Sequence, residues 1–287
     1  MLAPRHGLRP VYGQSAPARP ANRSPKLTRV QTEIKHQIAH VTLIRADKMN
    51  AVDPDMAEAI VAAGTQLIDN DDIRAVVLSG QGRGFCAGLD VASFAKFAAQ
   101  DPVERVMPRT HGDANLMQEV AMVWRKVPVP VVAALHGVAF GAGLQLAMGA
   151  DIRLAHPETK LAIMEAKWGL VPDMGGMVLW PQLMRSDVLR LLTYTAEPIT
   201  AAEGLGLGLV TRLTQTPLED AQALATVIAG KSPSGTRAAK RLIGVAESGA
   251  GAQKVLFEES REQADLIGKP HQMEIIAANM QGRAPKF

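Results

Sequence analysis

The chain has 287 residues, of which 47% are apolar, 21% charged and 4% aromatic. That is enough to fill a large core, and too apolar for a disordered chain. Lysine and arginine number 31 against 28 aspartates and glutamates, a net charge of +3. Because Arg5, Arg9, Arg19, Arg23, Lys26 and Arg29 all precede the first acidic residue, Glu33, the remaining body is slightly acidic, which argues against a nucleic-acid surface.

Residues 1–28 read as a basic N-terminal extension. It lacks the apolar stretch of a secretory signal, and Pro4, Pro10, Pro17, Pro20 and Pro25 oppose an amphipathic import helix. A disordered extension and a cytoplasmic location are expected, with organelle import as the alternative. Residues 37–44 then alternate like a strand. His36, just before that stretch, and His40 have a metal-compatible spacing, but residues four apart on an extended chain are far separated, so no metal site is expected. A helix follows, with Asp53 as its cap, Pro54 in its first position and Met56, Ile60, Leu67 and Ile68 on one face. Residues 75–79 form the next strand. Residues 93–99 have a helical pattern, and Asp101 and Glu104 a loop-like context.

From 127 to 150 no residue is charged, a length that could span a bilayer. Pro128 and Pro130 open the run, His136 and Gln145 interrupt it, and glycines recur through it. It therefore predicts a buried strand over 131–135, a glycine turn and a packed helix, and no membrane span. Weaker strands follow at 151–155 and 209–213, and Thr200 with Glu203 forms a capping box. Helices are expected over 217–229, 233–248, 252–267 and 272–280. The chain thus divides into the extension, an α/β core over 29–216 and a helical subdomain over 217–287 suited to oligomer contacts or a lid. Cys86 is the single cysteine, which excludes an internal disulfide and a multi-cysteine metal site. It reads as a small packing residue.

Two glycine turns follow strands. In the first, Gly82-x-Gly84-x-x-Ala87 formally meets a dinucleotide fingerprint, but no clear βαβ unit with a following acidic strand end surrounds it; a phosphate-binding GxxxxGK[ST] loop is absent. The second is Gly137-Val-Ala-Phe-Gly-Ala-Gly143, before an apolar helix. Each alone fits tight helix–sheet packing. Together, with no cationic phosphate clamp, they can present two backbone N–H groups to one carbonyl oxygen, an oxyanion hole.

At these residues the sequence resembles the crotonase superfamily, which includes enoyl-CoA hydratases and isomerases. The resemblance runs from about residue 41 to 287. It is carried by RADKMNA (45–51), by 76–90 with GRGFCAGLD, by VPVPVVAALHGVAFGAGLQLAMGADIRLA (127–155), by MEAKWGLVPDMGG (164–176) and by the terminal RAPKF. It implies an α/β spiral of β-β-α units with a C-terminal helical subdomain, and a homotrimer or hexamer. It also implies an acyl-CoA substrate with no separate cofactor. By the same resemblance the N–H groups of Leu89 and Ala142 form the oxyanion hole, worth roughly 3 kcal/mol per donor. Lys48, Ala87, Asp90 and Gly141 fall in segments that bind the coenzyme A thioester.

Hydratases of this family use two glutamates to activate a water. The later one corresponds to Glu165; the earlier is Gln145, whose amide can orient a water or the thioester but cannot exchange its proton. Asp173 matches an aspartate of the dienoyl-CoA isomerase branch, acting there with the Glu165-type carboxylate. In a Pro-Asp-x-Gly-Gly turn it is equally a candidate helix cap. The pattern favours a double-bond isomerase using Glu165 and Asp173. A hydratase of the same scaffold and a non-catalytic acyl-CoA-binding relative are the alternatives, and thioesterase or decarboxylase chemistry would use the same hole. Residues 94–115 are expected to shape the acyl pocket.

Overall fold

The computed structural model describes residues 28–93, 99 and 101–287. The basic extension up to residue 27, and most of the helix expected over 93–99, lie outside the described residues.

A hairpin opens the fold. β1 (Val30–Lys35) and β2 (Ile38–Leu43) are antiparallel, with His36 and Gln37 at positive φ in the turn and His40 on the second strand. α1 (Pro54–Ile68) begins as its sequence dictates, Asp53 accepting from the Met56 N–H at 2.8 Å. Its buried face carries Met56, Ile60 and Leu67, while Ile68 at its end is only partly buried. β3 (Ala75–Gly80), β4 (Val131–Leu135), β6 (Ile152–Ala155) and β9 (Arg212–Leu213) continue the sheet in parallel, in the order β1-β2-β3-β4-β6-β9. A second sheet pairs β5 (Val138–Phe140) with β7 (Lys160–Ala162) and β8 (Ile199–Thr200). Each turn of the chain adds one strand to the large sheet and then a second extended segment: Cys86 bridges to Ala139 of β5, which pairs with β7. This is the expected α/β arrangement.

Between these strands lie α2 (Pro102–Val106), α3 (Leu116–Lys126), α4 (Ala142–Gly149), α5 (Gly176–Leu179), α6 (Ser186–Thr195) and α7 (Ala201–Gly206). The uncharged run resolves into β4, β5 and α4, the last wholly buried. Among the described residues no helix is long and apolar enough to cross a membrane. α8 (Pro217–Ala229), α9 (Pro233–Glu247), α10 (Ala252–Leu266) and α11 (Pro270–Gln281) end the chain.

Three expectations change. Asp101 does not lie in a loop: its carboxylate accepts from Val103 and Glu104 N–H groups and, with Pro102 after it, starts α2. In the 209–213 stretch only Arg212 and Leu213 pair, because the Leu209 carbonyl is taken by the Arg153 side chain instead. α8 is part of the body. Its Ala221, Ala225 and Ala229 pack on Val77, Val132, Ala134 and Leu154 of the main sheet.

Candidate active site

The site begins at the crossing of the two glycine turns. Phe85 N–H donates to His136, Cys86 N–H to Val138, and Phe140 N–H back to Cys86, at 2.9–3.0 Å. This short parallel ladder fixes 84–88 against 136–142. Asn50 ties a third segment to it. The Asn50 side chain accepts from the Arg45 N–H and donates toward the carbonyls of Gln81, Gly84 and Phe85, all within 3.1 Å.

Beyond the ladder the chain turns at Gly88, with φ +99°. A Cβ there would stand 2.8 Å from the Phe140 carbonyl oxygen, so only glycine allows this approach. The same Cβ position lies 3.9 Å from the Ala142 nitrogen, so the first turn reaches the start of α4. Ala142 is the first residue of α4 after Gly141 (φ 46°) and has no intrahelical acceptor for its N–H. The neighbours of Leu89 bond to Val52, Gly88 through its carbonyl and Asp90 through its N–H. Among the described residues neither the Leu89 nor the Ala142 N–H has a backbone acceptor. Both residues line one cleft of about 470 Å³.

Ala87, Gly141, Glu165 and Asp173 line the same cleft. Glu165 opens a 3₁₀ turn over Glu165–Trp168. Gly141 suits the place beside it, since its φ of +46° is strained for a side-chain-bearing residue and a Cβ there would lie a tight 3.3 Å from Glu165 Oε1. Gln145 Nε2 donates to Glu165 Oε1 at 2.6 Å, while Gln145 Oε1 accepts from the Met174 and Gly176 N–H groups at 2.9 and 3.0 Å. Glu165 Oε2 is buried and has no hydrogen-bond partner among the described residues. Burial pushes the Glu165 carboxyl above the usual glutamate range; hydrogen bonds from its own N–H and from Gln145 oppose this, and the Asp173 charge adds to it.

Asp173 stands in an open part of the cleft, reached by solvent but surrounded by protein. Its carboxyl is also raised, by burial first, against its own N–H and the positive charge of Arg105. It does not cap α5, whose N-cap is Gly175 with no side-chain cap. The capping alternative therefore loses its structural basis.

The other expected residues lie off the cleft wall. Gln145 is fully buried, with both ends of its amide occupied. It contacts Glu165 and is not among the residues that line the cleft. Asp90 bonds to Arg45 at 2.6 Å, and Arg45 and Arg29 also hold Asp53. Although burial works against ionisation, the Arg45 hydrogen bond and charge keep Asp90 below the usual aspartate range. Asp90 thereby fixes the loop after Leu89. Lys48 is exposed on a 3₁₀ turn, Ala46–Lys48, next to the Met49 carbonyl that accepts from Ala87. Of the segment expected to shape the pocket, Pro102, Arg105 and Val106 line it. The sequence reading missed Asn50 and Arg105. Asn50 had a signal, a short polar side chain in a turn that needs positive φ (56°). Arg105 had none.

Comparison with known proteins identifies the family. The model of the enoyl-CoA hydratase/isomerase family matches residues 38–286. A probable enoyl-CoA hydratase of Mycobacterium bovis is 34% identical over 250 residues, 86% of this chain and 94% of that protein. The human mitochondrial Δ3,5-Δ2,4-dienoyl-CoA isomerase is 33% identical over 219 residues, 74% of this chain and 66% of that protein. The crystal structure of a putative enoyl-CoA hydratase from Streptomyces coelicolor superposes with a TM-score of 0.83 at 31% identity, covering 98% of this chain and 99% of that one. A crotonase-type fold and a match running from β2 almost to the last residue lead to one assignment: the chain belongs to the enoyl-CoA hydratase/isomerase family.

Proposed function

We propose that the protein shifts a carbon–carbon double bond along the acyl chain of an enoyl- or dienoyl-CoA thioester. The N–H groups of Leu89 and Ala142 polarise the thioester oxygen, and Glu165 with Asp173 exchanges protons with the acyl carbons. One observation carries the choice of isomerisation over hydration. Gln145 donates directly to Glu165, and both lone pairs of its own oxygen go to Met174 and Gly176. Gln145 thus has neither a basic atom nor a spare acceptor to share a water with Glu165, as two-carboxylate hydration requires. The likeness to a dienoyl-CoA isomerase supports the same reading. The hydratase name of the mycobacterial relative supports the competing one.

Residues 252–266 favour assembly into trimers or hexamers: α10 buries only Glu262, while Leu256 and Phe257 are exposed.

The deciding experiment supplies α,β-enoyl-, β,γ-enoyl- and 3,5-dienoyl-CoA in heavy water and separates the products by chromatography with mass spectrometry. Interconversion of isomers with deuterium uptake and no added water is the expected result. Water addition to the α,β-compound overturns the reading in favour of a hydratase. Asp173→Asn is expected to lower dienoyl turnover by about 100-fold or more while sparing enoyl isomerisation, which needs only Glu165. Equal loss on both substrates would remove the special role of Asp173.

A further inference from the structure

Four charged side chains lie largely buried where the first glycine turn meets the start of α1: Arg29, Arg45, Asp53 and Asp90. Arg45 is at their centre. Its Nη1 donates to the Ala51 carbonyl at 2.8 Å, and its Nη2 pairs with Asp90 at 2.6 Å and with Asp53 at 3.3 Å. Arg29 reaches Asp53 at 2.8 Å, and among the described residues only Arg45 pairs with Asp90. Two cations and two anions cancel, so the group has no net charge to offer a ligand. Such pairs also add little to stability, because the cost of desolvation offsets their attraction. What a buried network can supply is one fixed geometry.

That geometry concerns Leu89. Residues 49–52 run alongside 86–90: the Ala87 N–H donates to the Met49 carbonyl, the Val52 N–H to the Gly88 carbonyl and the Asp90 N–H to the Val52 carbonyl, at 2.8–2.9 Å. Val52 therefore bridges Leu89 in parallel, holding the residue on each side of it. In such a bridge the unbonded residue directs its own N–H to the opposite side, and Leu89 lines the cleft. The direction of the Leu89 N–H thus follows from where Gly88 and Asp90 are held. Arg45 closes the far end of the pairing, gripping one segment by the Ala51 carbonyl and the other by one Asp90 oxygen. The second Asp90 oxygen accepts from the Ala92 N–H at 3.0 Å, so the carboxylate is tied to the residues that follow as well.

We infer that Arg45 is a positioning residue for the thioester chemistry: by holding Asp90 against residues 51–53 it keeps the Leu89 N–H aimed at the thioester oxygen. The inference rests on the reading that Leu89 and Ala142 bind that oxygen, and it holds whichever reaction follows. Arg45 does not line the cleft, so it acts only through the main chain. The worth of an oxyanion donor depends on its aim, and a displacement of about 1 Å costs on the order of 100-fold. The planar fork of the guanidinium matters here, because it serves the Ala51 carbonyl and the two carboxylates from separate N–H groups. A lysine ammonium is a single point of charge and cannot span them in the same way.

The test compares Arg45→Met, Arg45→Lys and Asp90→Asn with Arg29→Met, which also removes a partner of Asp53 but leaves Asp90 paired. Saturated hexanoyl-CoA, labelled with 13C at the thioester carbon, serves as a non-reacting probe. Isotope-edited infrared spectra report how far its carbonyl stretch falls on binding, and kcat and KM are measured on an enoyl- or dienoyl-CoA that the wild type converts. The stretch should fall on the wild type and on Arg29→Met, and clearly less on the other three. Their kcat should drop about 10- to 100-fold with KM nearly unchanged. Arg45 and Asp90 act through one contact, so Arg45→Met should cost nothing further in an Asp90→Asn background. Should Arg45→Met fail to fold, Asp90→Asn carries the test alone, since it keeps the shape of the side chain. A full fall of the stretch with unchanged kcat in Asp90→Asn would overturn the inference. So would an equal loss in Arg29→Met, which places the effect at Asp53, or a loss of hexanoyl-CoA affinity in step with kcat, which marks a structural role. A stretch that does not fall even on the wild type would instead remove the reading of Leu89 and Ala142 as donors.

Discussion

Replacing Glu165 with glutamine is expected to lower turnover by about 100- to 10,000-fold while leaving a non-reacting acyl-CoA bound. The amide matches the carboxyl in shape, and its oxygen can still accept from Gln145 Nε2 in place of the present 2.6 Å contact. Only the exchangeable proton is lost. Stability should move the opposite way. The folded chain binds the Glu165 proton more tightly than the unfolded chain does, since burial raises that carboxyl. Its contribution is therefore fully favourable below the unfolded value and is lost as pH rises through the folded one. Glutamine carries no such term. The variant should melt higher than wild type at neutral pH, with the two converging in mild acid, and calorimetry across that range measures it. Retained turnover would remove Glu165 from the mechanism.

The second large effect concerns a hydrogen-bond donor that belongs to the main chain, not to a side chain. Ala142 occupies the first position of α4, where proline is well accommodated and a missing N–H costs the helix nothing. The preceding Gly141, at φ 46° and ψ −113°, lies outside the helical region that a following proline disfavours. Ala142→Pro should therefore fold with an unchanged circular dichroism spectrum. It should lose kcat by about 100- to 1000-fold, the effect of removing one oxyanion donor. Ala142→Ser, which keeps the N–H, is the control and should stay near wild type. Equal activity of the two variants would mean that the thioester oxygen is held elsewhere.

The residues differed in how openly they declared these roles. Caps and buried strands were legible because each is local: Asp53–Pro54, Thr200 with Glu203, and the uncharged run that became β4 and α4. The helix over 217–229 was read with its observed bounds, but its place against the main sheet was not. An alanine face at helical spacing says that something is covered, without saying what. β5, β7 and β8, two or three residues each, are too short for periodicity to register, and β1 is exposed along most of its length. At the site, Glu165 and the two N–H positions followed from family motifs, and the cleft gathers them. Gln145 was expected to orient a water or the thioester; the structure shows its amide on Glu165 and on the Met174 and Gly176 N–H groups. A fully buried amide is committed to its neighbours by the cost of an unmet hydrogen bond, and sequence does not reveal that burial. Lys48 and Asp90 belong to matching segments, but one is exposed and the other is bound to Arg45.

The single thiol of the chain sits inside the frame that presents the two N–H groups. Cys86 is wholly buried, its Sγ donates to the Asn50 carbonyl at 3.1 Å, and it abuts Gly143, where an added Cβ would come within 2.9 Å of the sulfur. Burial pushes this thiol up to about 12, so almost none is thiolate at neutral pH. A disulfide reagent can then modify the native protein only when the crossing of the two turns comes apart. Full reaction in denaturant, very slow reaction without it and further slowing by bound acyl-CoA are the expected pattern, followed by absorbance of the released thiol. A fast native reaction would show that the crossing opens readily. Evolution has left the protein with its own clock, in which the half-time of one sulfur records how often the crossing of the two glycine turns breathes.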